Sequence, residues 1–329
     1  MPMVRIAVDA MGGDFAPSAI VEGAIRAVRA HVCDVTLVGP EAEIRAELQR
    51  LAGADPWPEI PEIDVVDAPD RIEMAEAPIA ALRKKPRASI RVATELVAHG
   101  RAAAVLSAGH TGATLVSAHA VLGVLSGVER PALAVTIPTR TGAAVLVDAG
   151  ANVDCVPSHL VQFAIMGTAF ARVALGVAAP KIGLLSIGEE PGKGNDLVKE
   201  THALLRGSAT GYIGNIDARQ LFAGTADVIV CDGFTGNIAL KVGEGLVEWL
   251  AEMLQAERRA DLSARLQYGL NYAAHGAAPL LGVNGLVLVG HGRSSAEAVH
   301  SGLVAAARLS TSQLTARLAD ALAGPRAVC

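Results

Sequence analysis

Short apolar runs alternate with longer segments of helical spacing along almost the whole chain. Strand-type runs fall near 4–9, 33–38, 62–67, 102–107, 132–138, 143–148, 181–186, 210–213, 227–231 and 285–290. Helical spacing, or strong Ala, Leu, Glu and Arg content, covers 17–31, 41–52, 87–99, 111–125, 157–175, 194–206, 236–256, 259–272 and 294–322. This alternation predicts an α/β fold: three layers, a mostly parallel sheet with helices on both faces. Two segments depart from the rhythm. Pro131 to Pro138 and Ala143 to Asp148, joined by Thr139 to Gly142, read as an antiparallel hairpin. Residues 244–272 read as a helical hairpin excursion turning near Arg258 to Leu262. The Pro-rich patch Asp55 to Pro61 reads as a loop too short for a linker, so 1–329 is taken as a single domain.

Five of the strand runs end in small, polar, Gly-rich turns, and these carry the candidate chemistry. The most informative is Asp227 to Lys241, DVIVCDGFTGNIALK, in which a buried-strand run meets Asp232, Gly233, Thr235, Gly236 and Asn237 before a helix. Amide groups left unpaired at a helix start, with the helix dipole behind them, suit an anion. The others are Asp9 to Asp14 with Gly12 and Gly13, then Ser107 to Gly112 with His110 and Thr111, then Ser186 to Asn195 with Lys193, and Gly290 to Ser295 with His291 and Ser294. In an open parallel sheet such ends gather in one crevice where ligands bind. Asp14 is a candidate N-cap for the helix entering at Pro17, and Asn237 is either a helix cap or a substrate contact.

Composition narrows the function classes. A 51% hydrophobic, 19% charged chain of 329 residues has ample material for a core, and its formal charge of −5 with only 3% aromatics argues against nucleic-acid binding. Cys33, Cys155, Cys231 and Cys329 are scattered, with no metal-ligand spacing, and no export signal opens the chain, so a reducing cytoplasm is expected. The greasiest region, Gly112 to Val128, is too short and too polar to span a membrane. No GxGxxG follows the first strand, and GxxxxGKS, GxSxG and HExxH are absent, so no cofactor and no metal are assigned. Cys231 ends an apolar strand without a neighbouring base, which argues against a covalent nucleophile.

The segments MVRIAVDAMGGDFAP, SAGHTGATL, RPALAV, VDAGANVD, VQFAIMG, CDGFTGNIALK, GAAPLLGVNG and GHGRSS occur in this order and resemble the bacterial phosphate acyltransferase (PlsX) family of phospholipid synthesis. The resemblance covers nearly the whole chain. It implies a fold related to isopropylmalate dehydrogenase and phosphotransacetylase, and transfer of a fatty acyl group from acyl-carrier protein to inorganic phosphate. It also implies a homodimer with peripheral membrane contact through the helical hairpin. Lys193 and Asn237 are the catalytic residues it implies; Gly12, Gly13, Ser107, His110, Thr111, Gly112, Asp232, Gly233, Thr235, Gly236, His291 and Ser294 are the substrate-binding candidates. His110 stands where the family's SAGNTGA turn has Asn, and an imidazole can still donate a hydrogen bond to an anion. Rival readings are a phosphotransacetylase-like enzyme using coenzyme A thioesters, a nicotinamide-dependent decarboxylating dehydrogenase on the same fold, and a non-catalytic phosphate or acyl-carrier sensor. For docking the acidic carrier, the densest cationic run is Arg83, Lys84, Lys85, Arg87 and Arg91, with Arg258, Arg259 and Arg265 a second cluster.

Overall fold

The computed structural model describes residues 3–52, 60–257, 259, 261–263 and 276–323. In chain order the elements are β1 (Arg5–Asp9), α1 (Ser18–Arg29), β2 (Asp34–Gly39), α2 (Glu41–Leu51), β3 (Asp64–Asp67), α3 (Pro78–Lys84), α4 (Ser89–Ala98), β4 (Ala104–Ser107) and α5 (Thr111–Leu122). There follow β5 (Ala132–Thr139), β6 (Gly142–Val147), α6 (Pro157–Ala174), β7 (Ile182–Leu185), α7 (Asp196–Ser208), β8 (Tyr212–Ile216), β9 (Val228–Val230) and α8 (Gly233–Ala256). The last are β10 (Ala278–Leu281), β11 (Leu286–Val289), α9 (Ala296–Thr311) and α10 (Leu314–Ala323). The main chain groups into two compact units, Met1–Val124 with Ala273–Thr315, and Leu125–Tyr272 with Ala316–Cys329.

In the first unit the strand order is β3-β2-β1-β4-β11-β10. All neighbours are parallel except the β10–β11 pair. Helices connect β1 to β2, β2 to β3 and β3 to β4, because parallel neighbours need a crossover that returns the chain to the same end of the sheet. Helix α1 packs on α9 and α4 on α5, and β1 touches both α4 and α9, so the strand is covered by both sets. The amphipathic spacing of α1 buries Ile20, Val21, Ala24, Ile25 and Ala27. Such side chains each contribute up to ~1.5–3 kcal/mol on leaving water, less for alanine.

In the second unit the order is β5-β6-β9-β7-β8. The expected hairpin forms: β5 and β6 are antiparallel, from Ala134 opposite Val147 to Thr139 opposite Gly142. Strands β6, β9, β7 and β8 then run parallel, so their C-terminal ends lie at one edge of the sheet. Val228, Ile229 and Val230 are wholly buried, the pattern of a strand covered on both faces.

Several boundaries differ from the sequence expectation. Strand β10 and the seven-residue α3 had no apolar periodicity long enough to announce them. The stretch 294–322 divides into α9 and α10, with Gln313 at φ 55° between them, a backbone state that ends a helix. Helix α8 begins at Gly233 and continues unbroken to Ala256. The second arm of the expected hairpin, together with Arg258 and Arg265, lies largely outside the described residues, as does most of the Pro-rich patch.

Candidate functional site

In the first unit the turns after β1, β4 and β11 leave neighbouring parallel strands at the same end. The buried Asp9 carboxylate organises them: it accepts from Ser107 Oγ at 2.7 Å and from the Met11 N–H at 3.2 Å. Ser107 Oγ in turn accepts from the Gly109 N–H at 3.1 Å. Burial pushes the Asp9 carboxyl above its ordinary value, while hydrogen bonds from Ser89, Ser107 and Met11 pull the other way. Gly12 lies so close to the β4 turn that a Cβ there would stand 2.6 Å from the Gly109 nitrogen. The Asp14 N–H donates to Gly292 O at 2.7 Å, tying the β1 turn to the β11 turn. Asp14 therefore does not cap α1, whose N-cap is Pro17, without a side-chain bond.

His110 is the N-cap of α5, its Nδ1 accepting from the Gly112 N–H at 3.1 Å. In the neutral ring the proton then sits on Nε2. The Thr111 and Ala113 N–H groups and the Thr111 hydroxyl have no hydrogen-bond partner among the described residues, leaving donors at a helix start for an anion. His291 Nδ1 accepts from the Arg293 N–H at 3.2 Å and Ser294 Oγ donates to His291 O at 2.6 Å. Capping of α9 falls to Ser295, so these two residues shape the turn rather than end the helix.

In the second unit, β7 and β9 are paired neighbours with Leu184 opposite Val230, so the Lys193 loop and the Asn237 turn leave the sheet side by side. Asp232 caps α8, accepting from the Thr235 N–H at 2.8 Å and the Thr235 hydroxyl at 2.7 Å. Asn237 is exposed within the second turn of the helix, which removes the reading of it as a cap. The Gly233 N–H is taken by Asn152 O at 2.7 Å. Gly236 abuts the end of β6, where an added Cβ would lie 1.9 Å from Asp148 O. Lys193 is exposed, and among the described residues its ammonium has no carboxylate within 4.0 Å, Glu189 and Glu190 included.

Two residues given no role by sequence reasoning organise this end of the sheet. Asp148, fully buried, accepts from the N–H groups of Leu133, Gly150, Ala151 and Asn152 and from Asn152 Nδ2, at 2.7 to 3.1 Å. Burial nevertheless pushes its carboxyl up, and the donors pull it back. The VDAGANVD motif pointed to this turn and holds four of the five donors, but it could not reveal the Leu133 N–H, which comes from across the β5–β6 hairpin. Asn215, on β8, donates from Nδ2 to Glu190 O in the Lys193 loop at 3.1 Å; nothing in its local sequence signals that contact. Cys231 is buried, and desolvation, with Asp148 and Asp232 beside it, holds its thiol well above the ordinary range, against a nucleophilic role. Among the described residues no group of three or more His, Cys, Asp or Glu is placed to hold a metal ion.

The comparisons with known proteins agree with one another. A family model described as fatty acid synthesis protein matches residues 4–317. The chain is 50% identical over 333 residues to a protein named phosphate acyltransferase from Thermus thermophilus, covering 97% of this chain and 98% of that one. It is 44% identical over 331 residues to a phosphate acyltransferase from Trichlorobacter lovleyi, covering 97% and 94%. Among solved structures, a phosphotransacetylase from Streptococcus pyogenes aligns at a TM-score of 0.66 with 18% identity, covering 94% of each chain. A 4-hydroxythreonine-4-phosphate dehydrogenase from Klebsiella pneumoniae aligns at 0.55 with 15% identity, covering 94% and 98%. At those identities the likeness shows the fold alone. A match across nearly all its length, at half of its positions in one relative, places the chain in the fatty acid synthesis protein family, the family of the phosphate acyltransferases.

Proposed function

We propose that the protein transfers a fatty acyl group from acyl-carrier protein to inorganic phosphate, giving acyl phosphate and free carrier thiol. A phosphate oxygen attacks the thioester carbonyl carbon, the new C–O bond forms, and the C–S bond breaks. The sulfur leaves as thiolate and takes up a proton, a favourable exit for a thiol of pKa ~8.5. Phosphate is already a nucleophile near neutral pH, so the protein needs to neutralise charge and fix orientation rather than supply a covalent intermediate.

The observation that carries this reading is the side-by-side exit of the Lys193 loop and the Asn237 turn from paired strands β7 and β9. Lys193, with no carboxylate partner among the described residues, is assigned to the phosphate and the developing oxyanion. Asp232 already places a carboxylate at the start of α8, so a dianion there meets repulsion. The Asn237 amide is therefore assigned to the thioester carbonyl, which is neutral until the transition state. In the first unit, the Thr111 and Ala113 N–H groups and the Thr111 hydroxyl at the start of α5 are the proposed anion contacts, with Gly12, Gly13, His110 and His291 as further candidates; Gly112, Ser107 and Ser294 have their donors committed to His110, Asp9 and His291 O and shape the turns instead.

The decisive assay incubates the protein with long-chain acyl-carrier protein and phosphate and traps acyl phosphate with hydroxylamine. Wild type forms the hydroxamate, while Lys193→Ala and Asn237→Ala lose about 100-fold or more, the scale of one lost oxyanion donor. No product from wild type refutes the activity; full rates in both variants refute the roles. Because the fold is also that of phosphotransacetylases, a parallel arm with acyl-coenzyme A decides the donor.

The acidic carrier requires a local cationic surface, and α3 is the proposed one. Lys85 pairs with Glu76, Arg87 with Asp67 and Arg91 with Glu95, which leaves Arg83 and Lys84 exposed on α3 beside the apolar Ile79. This helix adjoins the α5 start, where a Cβ on Gly112 would meet Pro78 at 2.8 Å. Helix α8 exposes Phe234, Ile238, Val242, Leu246, Trp249 and Met253 at spacings of three and four residues, one apolar face. We assign that face to a second copy of the chain in a cytoplasmic homodimer, with peripheral membrane contact as the competing occupant. No helix among the described residues is long and apolar enough to cross a membrane.

A further inference from the structure

We infer that Asn215 is a positioning residue that sets the place of the Lys193 ammonium; the inference rests on the catalytic role proposed for that lysine. The loop from Ser186 to Asn195 has little stiffness of its own, being largely exposed and carrying Gly188, Gly192 and Gly194. Its two ends are fixed by the fold. The Ser186 N–H donates to Ile216 O at 2.8 Å, and Asn195 caps α7 by accepting from the Val198 N–H at 3.0 Å. Between them the chain makes a tight turn in which the Lys193 N–H donates to Glu190 O at 2.9 Å.

Asn215 reaches this turn from the sheet. It lies opposite Leu184 in the β7–β8 register, is only 6% exposed, and donates from Nδ2 to Glu190 O at 3.1 Å, with Lys193 O 3.5 Å away. Its amide orientation is dictated by those carbonyls, since the reversed amide would set oxygen against oxygen. Its Oδ1 is buried without a partner among the described residues, so burying the amide is compensated only on the loop side. Glu190 O thus receives two donors, one from Lys193 itself and one from the sheet. A buried, strand-mounted side chain is a more rigid reference for a catalytic cation than a glycine-rich loop. Asn215 touches no reacting atom and acts through Lys193.

A double-mutant cycle tests this, with hydrogen exchange as a second readout. Asn215→Ala in the full chain, checked for folding by circular dichroism and thermal midpoint, is expected to lower kcat/KM about 10-fold or more, since a 1 Å misplacement can cost about 100-fold. In a Lys193→Ala background the same substitution is expected to change the rate by less than about 2-fold, because its route to the chemistry is already gone. Exchange of the Lys193 amide should accelerate in Asn215→Ala while the amides of β9 stay protected. Equal fold losses in both backgrounds, a wild-type rate in Asn215→Ala, or unchanged exchange at Lys193 would each overturn the inference. Faster exchange at Lys193 with full activity in Lys193→Ala identifies the failure as that of the lysine's proposed catalytic role, and withdraws the positioning role with it.

Discussion

Two glycines on one helix should respond to the same substitution with opposite signs. At Gly236 a Cβ would lie 1.9 Å from Asp148 O and 3.0 Å from Cys231 Sγ. Real Cβ contacts almost never fall under 3.0 Å, so the start of α8 must move from the end of β6 by about 1.1 Å. The nearest atom is backbone, which cannot swing aside as a flexible side chain does. The cost therefore belongs at the upper end of the overpacking range, ~3 kcal/mol. The intrinsic helix preference of alanine offsets ~1 kcal/mol of this, leaving Gly236→Ala destabilised by ~2 kcal/mol. At Gly245, nothing in the same chain lies within 4 Å of the added Cβ, so within the protomer Gly245→Ala keeps only the helix gain and is stabilised by ~0.5–1 kcal/mol. Urea unfolding followed by far-UV circular dichroism measures both. Because Asn237 rides on the displaced turn, kcat should fall by about 100-fold in Gly236→Ala and stay unchanged in Gly245→Ala. A Gly236→Ala protein as stable and as active as wild type would refute the close approach and the role built on it.

Three further outcomes follow from the same geometry. The folded-state pKa of Asp9 lies above its unfolded value of ~3.9, so its contribution to stability is fully present below ~3.9 and is lost as pH rises through the elevated folded value. Wild type should therefore gain stability relative to Asp9→Asn as pH falls from 8 towards 4; parallel urea midpoints across that range would count against the assignment. Reversing Arg83 and Lys84 to Glu should raise the KM for acyl-carrier protein about 10-fold and flatten its salt dependence without changing the KM for phosphate; an unaltered carrier KM dismisses α3 as the dock. Trp249→Asp on the exposed face of α8 should shift the protein to monomer in sedimentation equilibrium; a dimer that persists while liposome co-sedimentation is lost would reassign that face to lipid.

The alternation of strand and helix was legible because strands such as β9 and β11 are unbroken apolar runs closed by Gly-rich turns. The β5–β6 hairpin was equally plain from two apolar runs around Arg140 and Thr141. Strand β10 escaped because APLL is four residues long and contains Pro279, and α3 because seven residues show no period. At the site, Asp232 could have been read as the cap from its spacing to Thr235, which would have placed Asn237 inside the helix. Asn215 was beyond such reading because its partners are main-chain carbonyls of the loop after the paired strand β7, and main-chain atoms leave no mark on residue identity. At Asp148 only the Leu133 N–H comes by strand pairing; the amides at 150 to 152 lie two to four residues on, and an Asp opening a Gly-containing turn is a local signal for them.

The buried Asp148 carboxylate also bears on how this region tolerates variation. Four of its five donors are peptide N–H groups, those of Leu133, Gly150, Ala151 and Asn152, and every residue except proline supplies one. Neutral drift can therefore replace the half-buried side chain at 151 without loosening the turn, whereas Leu133 is held by its own place in the core. The acidic anchor has no such latitude, since alanine in its place would strand a cluster of amide hydrogens away from solvent.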